Sequence, residues 1–288
     1  MKRSNCSRPR VERVRFGSLT LLIVFVALLK PGMLPAEQVP VRNTEGLTHG
    51  FLALRTLGGS TIAYGDMFEV DHGGRVTLQL VFHFRDGSVH DETAVFSQHG
   101  SFRLLSDHLV QKGRSFPHPM EVSINCSTGQ VTVHYSDDGK EKVETDHLEL
   151  PPDLANGIVL TLLKNVRSNA VGTKVSFVAA TPKPRLVKLA ISSAGEEPFS
   201  FAGSRRKATH YVVKVEIGGI SGALAPLLGK QPPDTHVWVL GGEAPAFVKF
   251  EGPLYQGGPI WRIELVSPVW PRGPGTNLKG RKQGAKKQ

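Results

Sequence analysis

From residue 47 onward the chain alternates apolar and polar residues in short runs separated by glycine-containing turns. Val131, Val133 and Tyr135 point one way while Thr132, His134 and Ser136 point the other; Tyr211, Val213, Val215 and Ile217 oppose His210, Lys214 and Glu216 in the same manner. A period of two is the signature of β-strands. The breaks at Gly58-Gly59, Gly73-Gly74, Asp86-Gly87, Thr128-Gly129, Asp138-Gly139, Ala194-Gly195 and Gly241-Gly242 suit tight hairpins. The pattern predicts strands over 48–56, 61–70, 75–84, 89–97, 101–111, 119–125, 130–136, 141–148, 173–178, 185–192, 209–217, 235–240, 246–251 and 259–267. Sequential strands should be antiparallel neighbours.

One segment departs from this rhythm. Asp153 follows Pro151-Pro152 as a candidate N-cap, and Leu154, Ile158, Leu162 and Val166 recur every fourth residue. That spacing predicts a helix over 153–166, weakened at Gly157 by up to ~1 kcal/mol relative to Ala. The expected fold is mainly β: an antiparallel meander forming a curved sheet, half-barrel or sandwich with one central helix. It is either one domain over 37–271 or two β halves, 47–150 and 167–267, around the helix.

The ends read differently. Residues 1–36 open with Lys2, Arg3, Arg8, Arg10, Arg13 and Arg15, continue through an uncharged apolar run from Phe16 to Leu29, and close on Leu34-Pro35-Ala36. This is the layout of a cleavable secretory signal. As a helix, residues 16–29 would be ~21 Å long, short of the ~30 Å hydrocarbon core; retention as an anchor is the alternative. The chain is expected to be exported, to a periplasm or the extracellular space.

Charge follows the ends as well. The formal net charge is +10, but seven Lys/Arg lie in residues 1–36 and six in 272–288, leaving 22 basic against 24 acidic residues elsewhere. A folded part so balanced lacks the basic stripe expected of a specific nucleic-acid binder. The tail 272–288 reads as a disordered basic end that is either solubilising or attracted to anionic membrane surfaces. Cys6 and Cys126 are the two cysteines, and loss of the first with the signal leaves no intrachain disulfide.

The strand meander, the phrase Asp138-Gly139-Lys140-Glu141-Lys142, the Leu150-Pro151-Pro152 approach to a short helix and a Trp238-bearing strand before the final hairpin resemble exported bacterial β-rich proteins of unknown function. These stand in the neighbourhood of lipoprotein-carrier half-barrels. The resemblance spans roughly residues 47–267 and implies an exported antiparallel β fold; it brings no site residues.

Candidate chemistry is sparse. A two-residue loop at Asp86-Gly87 would pair His83 with His90 and Val81 with Glu92, placing His83, His90 and Glu92 on one sheet face. Cross-strand neighbours lie ~5 Å apart at Cβ, near enough for a Zn²⁺ site of hydrolytic type. A register slip of one residue would separate them. Ser106, Asp107 and His108 have the residue types of a hydrolytic triad, but neighbours in a strand face opposite ways. Cys126 sits in a turn with no basic partner close in sequence. No dinucleotide or phosphate-loop motif appears, so no cofactor is expected.

The apolar stretch from Gly218 to Pro233 lies between two strands, and Ile220, Leu224, Leu227 and Leu228 within it would be costly to leave in water. It is either a plug in the β structure or a loop over an apolar site. These four leucine and isoleucine residues, with Trp238, are the candidate ligand contacts. The leading expectation is a non-catalytic exported protein binding an apolar or lipid-like molecule or an envelope partner; the alternative is a metal-dependent hydrolase built on His83, His90 and Glu92. Oligomeric state is not legible.

Overall fold

A computed structural model describes residues 38–137, 139–169, 172–201, 204–216 and 231–266. The signal region 1–36, the residues Ile220, Leu224, Leu227 and Leu228, and the tail 272–288 lie outside the described residues. Among the described residues fourteen strands run in chain order: β1 (Thr48–Thr56), β2 (Thr61–Asp71), β3 (Arg75–Phe84), β4 (Val89–Ser97), β5 (Arg103–Lys112), β6 (Met120–Asn125), β7 (Gln130–Asp137), β8 (Lys140–His147), β9 (Thr173–Ala179), β10 (Arg185–Phe201), β11 (Ser204–Glu216), β12 (Thr235–Leu240), β13 (Ala246–Gly252) and β14 (Trp261–Val266). One helix among the described residues, α1 (Val159–Leu163), precedes β9.

All fourteen strands belong to one open antiparallel sheet, ordered β8-β7-β6-β5-β4-β3-β2-β1-β14-β13-β12-β11-β10-β9. Two meanders are therefore joined where the first strand pairs with the last, with Leu52 opposite Leu265 and Leu54 opposite Ile263. Alternation drives the burial: Leu52 and Leu54 on β1, Val76, Leu78, Leu80, Phe82 and Phe84 on β3, and Val131 and Val133 on β7 enter one continuous core. The same core takes in Val175, Ile191, Val213 and Val237 from the second meander. The described residues form one compact unit, because the β1–β14 pairing runs the sheet through both halves.

The helix is much shorter than its sequence spacing predicts. Leu154, Ile158 and Leu162 are all buried as that spacing requires, but only Val159–Leu163 is helical and its N-cap, Ile158, makes no side-chain cap. Asp153 is not a cap. Its carboxylate accepts from Ser176 Oγ at 2.9 Å and Lys188 Nζ at 3.0 Å. Residues 153–156 instead lie along β9: Ser176 N–H donates to the Asp153 carbonyl and Ala155 N–H to that of Ser176. The Asn156 side chain completes this cover, accepting from Val178 N–H at 2.8 Å and donating to its carbonyl at 3.0 Å. An edge strand left bare is a template for unwanted pairing, and here the segment before the helix closes it. The other edge, β8, is highly charged and mostly exposed.

The β10–β11 hairpin also differs from expectation. The predicted turn at Ala194-Gly195 is a β-bulge between Ser193 and Gly195, and both strands continue past it to Phe201 and Ser204. Gly195, at φ 108°, supplies the backbone conformation that such a bulge needs.

Candidate functional site

Side chains from both meanders line an open-mouthed cavity of about 370 Å³. Met67, Leu78 and Leu80 line it from β2 and β3, and Val187, Leu189 and Phe250 from β10 and β13, while Val159 and Leu160 of α1 contribute a further wall. Strands far apart in the sheet order thus face the same space, so the sheet curves strongly around it. The volume is at the lower end of the ~300–1,000 Å³ usual for small-molecule sites, and the lining is largely apolar as in such sites.

Polar side chains interrupt that lining, Arg185, Thr235 and Gln256 among them, and three stand together on adjacent strands: His90 and Glu92 from β4 and Gln111 from β5. Strand parity brings them inward. Ala94 and Phe96, two and four residues beyond Glu92, are fully buried on the same face, and His90 pairs directly with Gln111. Gln111 Nε2 donates to the Leu254 carbonyl at 2.7 Å and lies 3.1 Å from His90 Nδ1. A carbonyl can only accept, so this Gln111 atom is the amide nitrogen, and its second hydrogen goes to Nδ1. The imidazole hydrogen therefore resides on Nε2.

Burial pushes the His90 imidazole down to about 4, so the ring is neutral near pH 7. Its Nε2 is buried and has no hydrogen-bond partner among the described residues. Glu92 Oε2 stands 4.0 Å away, beyond hydrogen-bond reach, and a neutral ring forms no ion pair with it. The Glu92 carboxyl is pushed up to about 7 by burial. Asp107, on the same face, is held well above the usual carboxylate range by burial and by the charge of Glu92, and its Oδ1 likewise lacks a partner among the described residues.

His83 does not join this group. The connection after β3 is a three-residue loop, Arg85 to Gly87, closed by the Phe84 N–H bond to the Ser88 carbonyl, with Gly87 at φ 84°. One extra loop residue shifts the register, so His83 pairs with Val89 and Phe82 with His90. His83 is exposed and His90 buried; a one-residue slip sends them to opposite faces. Among the described residues no cluster of three His, Cys, Asp or Glu is arranged to hold a metal ion.

Trp238 also lies away from the cavity. Its neighbour Val237 lines the cavity, while Trp238 packs with Ala208 and Val248 in a separate small cluster. There the indole stacks on His210 at 4.3 Å, sits under Lys249 Nζ at 3.4 Å and donates to Glu197 Oε2 at 2.8 Å. Of the apolar insert, Pro232 and Pro233 are described, and both line the cavity. Asp107 is buried while His108 is exposed and pairs with Ser123, so no triad assembles. The Cys126 thiol is pushed up to about 11, chiefly by burial, which leaves it unreactive. No sequence motif marks Gln111; its signal is a polar residue at an inward-facing strand position.

No protein-family model matches the chain and no curated protein matches it. Among solved structures, the crystal structure of the hypothetical lipoprotein YmcC from Escherichia coli (K12) is similar with a TM-score of 0.36 and 11% identity, over 88% of this chain and 99% of that chain. At that TM-score the likeness assigns this chain neither a fold family nor a function.

Proposed function

We propose that this chain is an exported binding protein that holds an apolar or lipid-like molecule against the inner face of its sheet. The observation that carries this reading is the cavity of about 370 Å³ between the two meanders, walled by Met67, Leu78, Leu80, Val187 and Phe250. Apolar walls favour transfer of an apolar guest from water by ~25 cal/mol per Å² buried. Export is supported by the basic, apolar and small-residue succession in residues 1–36, and the basic tail suits a membrane surface as the place where cargo is met.

Mass spectrometry of organic extracts from natively purified protein tests the reading, alongside titration with a fluorescent apolar dye. A hydrophobic molecule should co-purify or the dye should bind, and Leu80→Trp, which fills the cavity, should weaken that binding. Protein that carries nothing and ignores the dye would refute it.

A further inference from the structure

The cavity is not uniformly apolar, and the polar group at His90 has a defined hydrogen-bonding character. His90 Nδ1 is occupied by Gln111, whose own position is held by the Leu254 carbonyl. The ring therefore presents an N–H, not a lone pair, at Nε2. That atom is buried, unpartnered among the described residues, and belongs to a side chain lining the cavity. A buried donor without an acceptor is costly, and structures rarely retain one without reason.

We propose that the molecule bound in this cavity carries a carbonyl or carboxyl oxygen at one end, and that His90 Nε2–H donates to it while the apolar body lies along Leu78, Leu80, Val187 and Phe250. This rests on the reading of the cavity as an apolar binding site and adds the chemistry of the guest's polar end. Gln111 is a positioning residue, since its bond to Nδ1 sets the tautomer of the ring. Glu92, mostly buried and pushed up to about 7, is largely protonated below that value and then offers a second donor beside the first. A plain hydrocarbon would leave both donors unanswered. An oxygen-bearing chain answers them.

Titration of the full mature chain and of His90→Phe with dodecane, methyl dodecanoate and dodecanoic acid, each read by displacement of an apolar dye, tests the proposal. Comparing the two proteins probe by probe cancels each probe's own aversion to water. Wild type should bind the ester or the acid about tenfold or more tighter than the variant does, since a buried donor regaining its acceptor is worth about one decade or more. Dodecane should bind both within about twofold. Either the ester or the acid ranking first upholds the proposal, and the order identifies an esterified or a free acyl chain as the source.

Equal ratios for all three probes would overturn the polar contact and leave the apolar site standing. Failure of every probe to bind wild type would overturn the site and the proposal together. Should His90→Phe not fold, the ring Nε2–H resonance of His90 in the wild-type protein takes its place: it should move on adding the ester or acid but not dodecane, and a resonance unmoved by all three would refute the proposal.

Discussion

Lys164 and Glu69 form an ion pair sealed beneath the helical segment: Nζ lies 3.0 Å from Oε2, with the two side chains 7% and 1% exposed. Glu45 joins at 2.7 Å, and Thr161 Oγ1 donates to Glu69 at 2.8 Å. One ammonium thus ties α1 to β2 and to the chain before β1. Asn165 adds to the same fastening by accepting from the backbone N–H groups of Arg42 and Asn43.

Removing one partner of a buried pair strands the other, at a cost of ~3–5 kcal/mol. Lys164→Met should therefore lower unfolding free energy in urea by about that amount. Replacing Glu69 by Met as well should recover part of the loss, because it removes one of the two stranded carboxyls and leaves Glu45 without its ammonium.

The inner-face carboxyls set the pH response. Glu92 is raised from 4.5 to about 7 by burial, so between those values the folded chain keeps a proton that the unfolded chain releases. Its contribution to stability is present below about pH 4.5 and is lost as pH rises through about 7. Glu45, raised to about 7 chiefly by burial, acts with the same sign. His90, lowered from 6.5 to about 4, acts with the opposite sign: stability grows as pH rises from about 4 to 6.5. Glu92→Gln should gain stability relative to wild type between about pH 5 and pH 8, measured by denaturant midpoints. A difference independent of pH would contradict the assignment.

Gly157 occupies a position whose sequence reading has the wrong sign. In a regular helix, Ala there would stabilise by up to ~1 kcal/mol. In the structure Gly157 has φ 69°, and a Cβ would meet Asp107 Oδ1 at 2.6 Å and Ala94 Cβ at 2.7 Å. Gly157→Ala should accordingly destabilise by about 2 kcal/mol or more, combining left-handed strain with overpacking. Thermal denaturation decides between the two signs.

Asn156 satisfies both backbone groups of Val178 on the side of β9 away from β10. Asn156→Ala should cost ~1–3 kcal/mol for each polar group left without a partner. Hydrogen exchange at the Val178 amide should accelerate in the variant, and a rate unchanged from wild type would show that the edge is held by other bonds.

The strand ladder was legible in the chain because period two and positive-φ glycines are local properties. Predicted strands over 48–56, 75–84, 89–97 and 235–240 coincide with β1, β3, β4 and β12, each bounded by a turn whose residues dictate it. Parity within a strand was equally local, which is why Ser106, Asp107 and His108 could be separated in advance. Register was not local. Whether Asp86-Gly87 made a two- or three-residue loop changed no propensity, yet it removed His83 from the face of His90 and Glu92. Likewise Leu154, Ile158, Leu162 and Val166 announced a buried stripe, but the backbone of β9 claimed residues 153–156 before a helix could form there. The pairing of β1 with β14, the cavity it closes around, and the hydrogen bond that places a proton on His90 Nε2 join residues as far apart as Gln111 and Leu254. Contacts of that separation arise from the curvature of the whole sheet, and only the tertiary structure decides them.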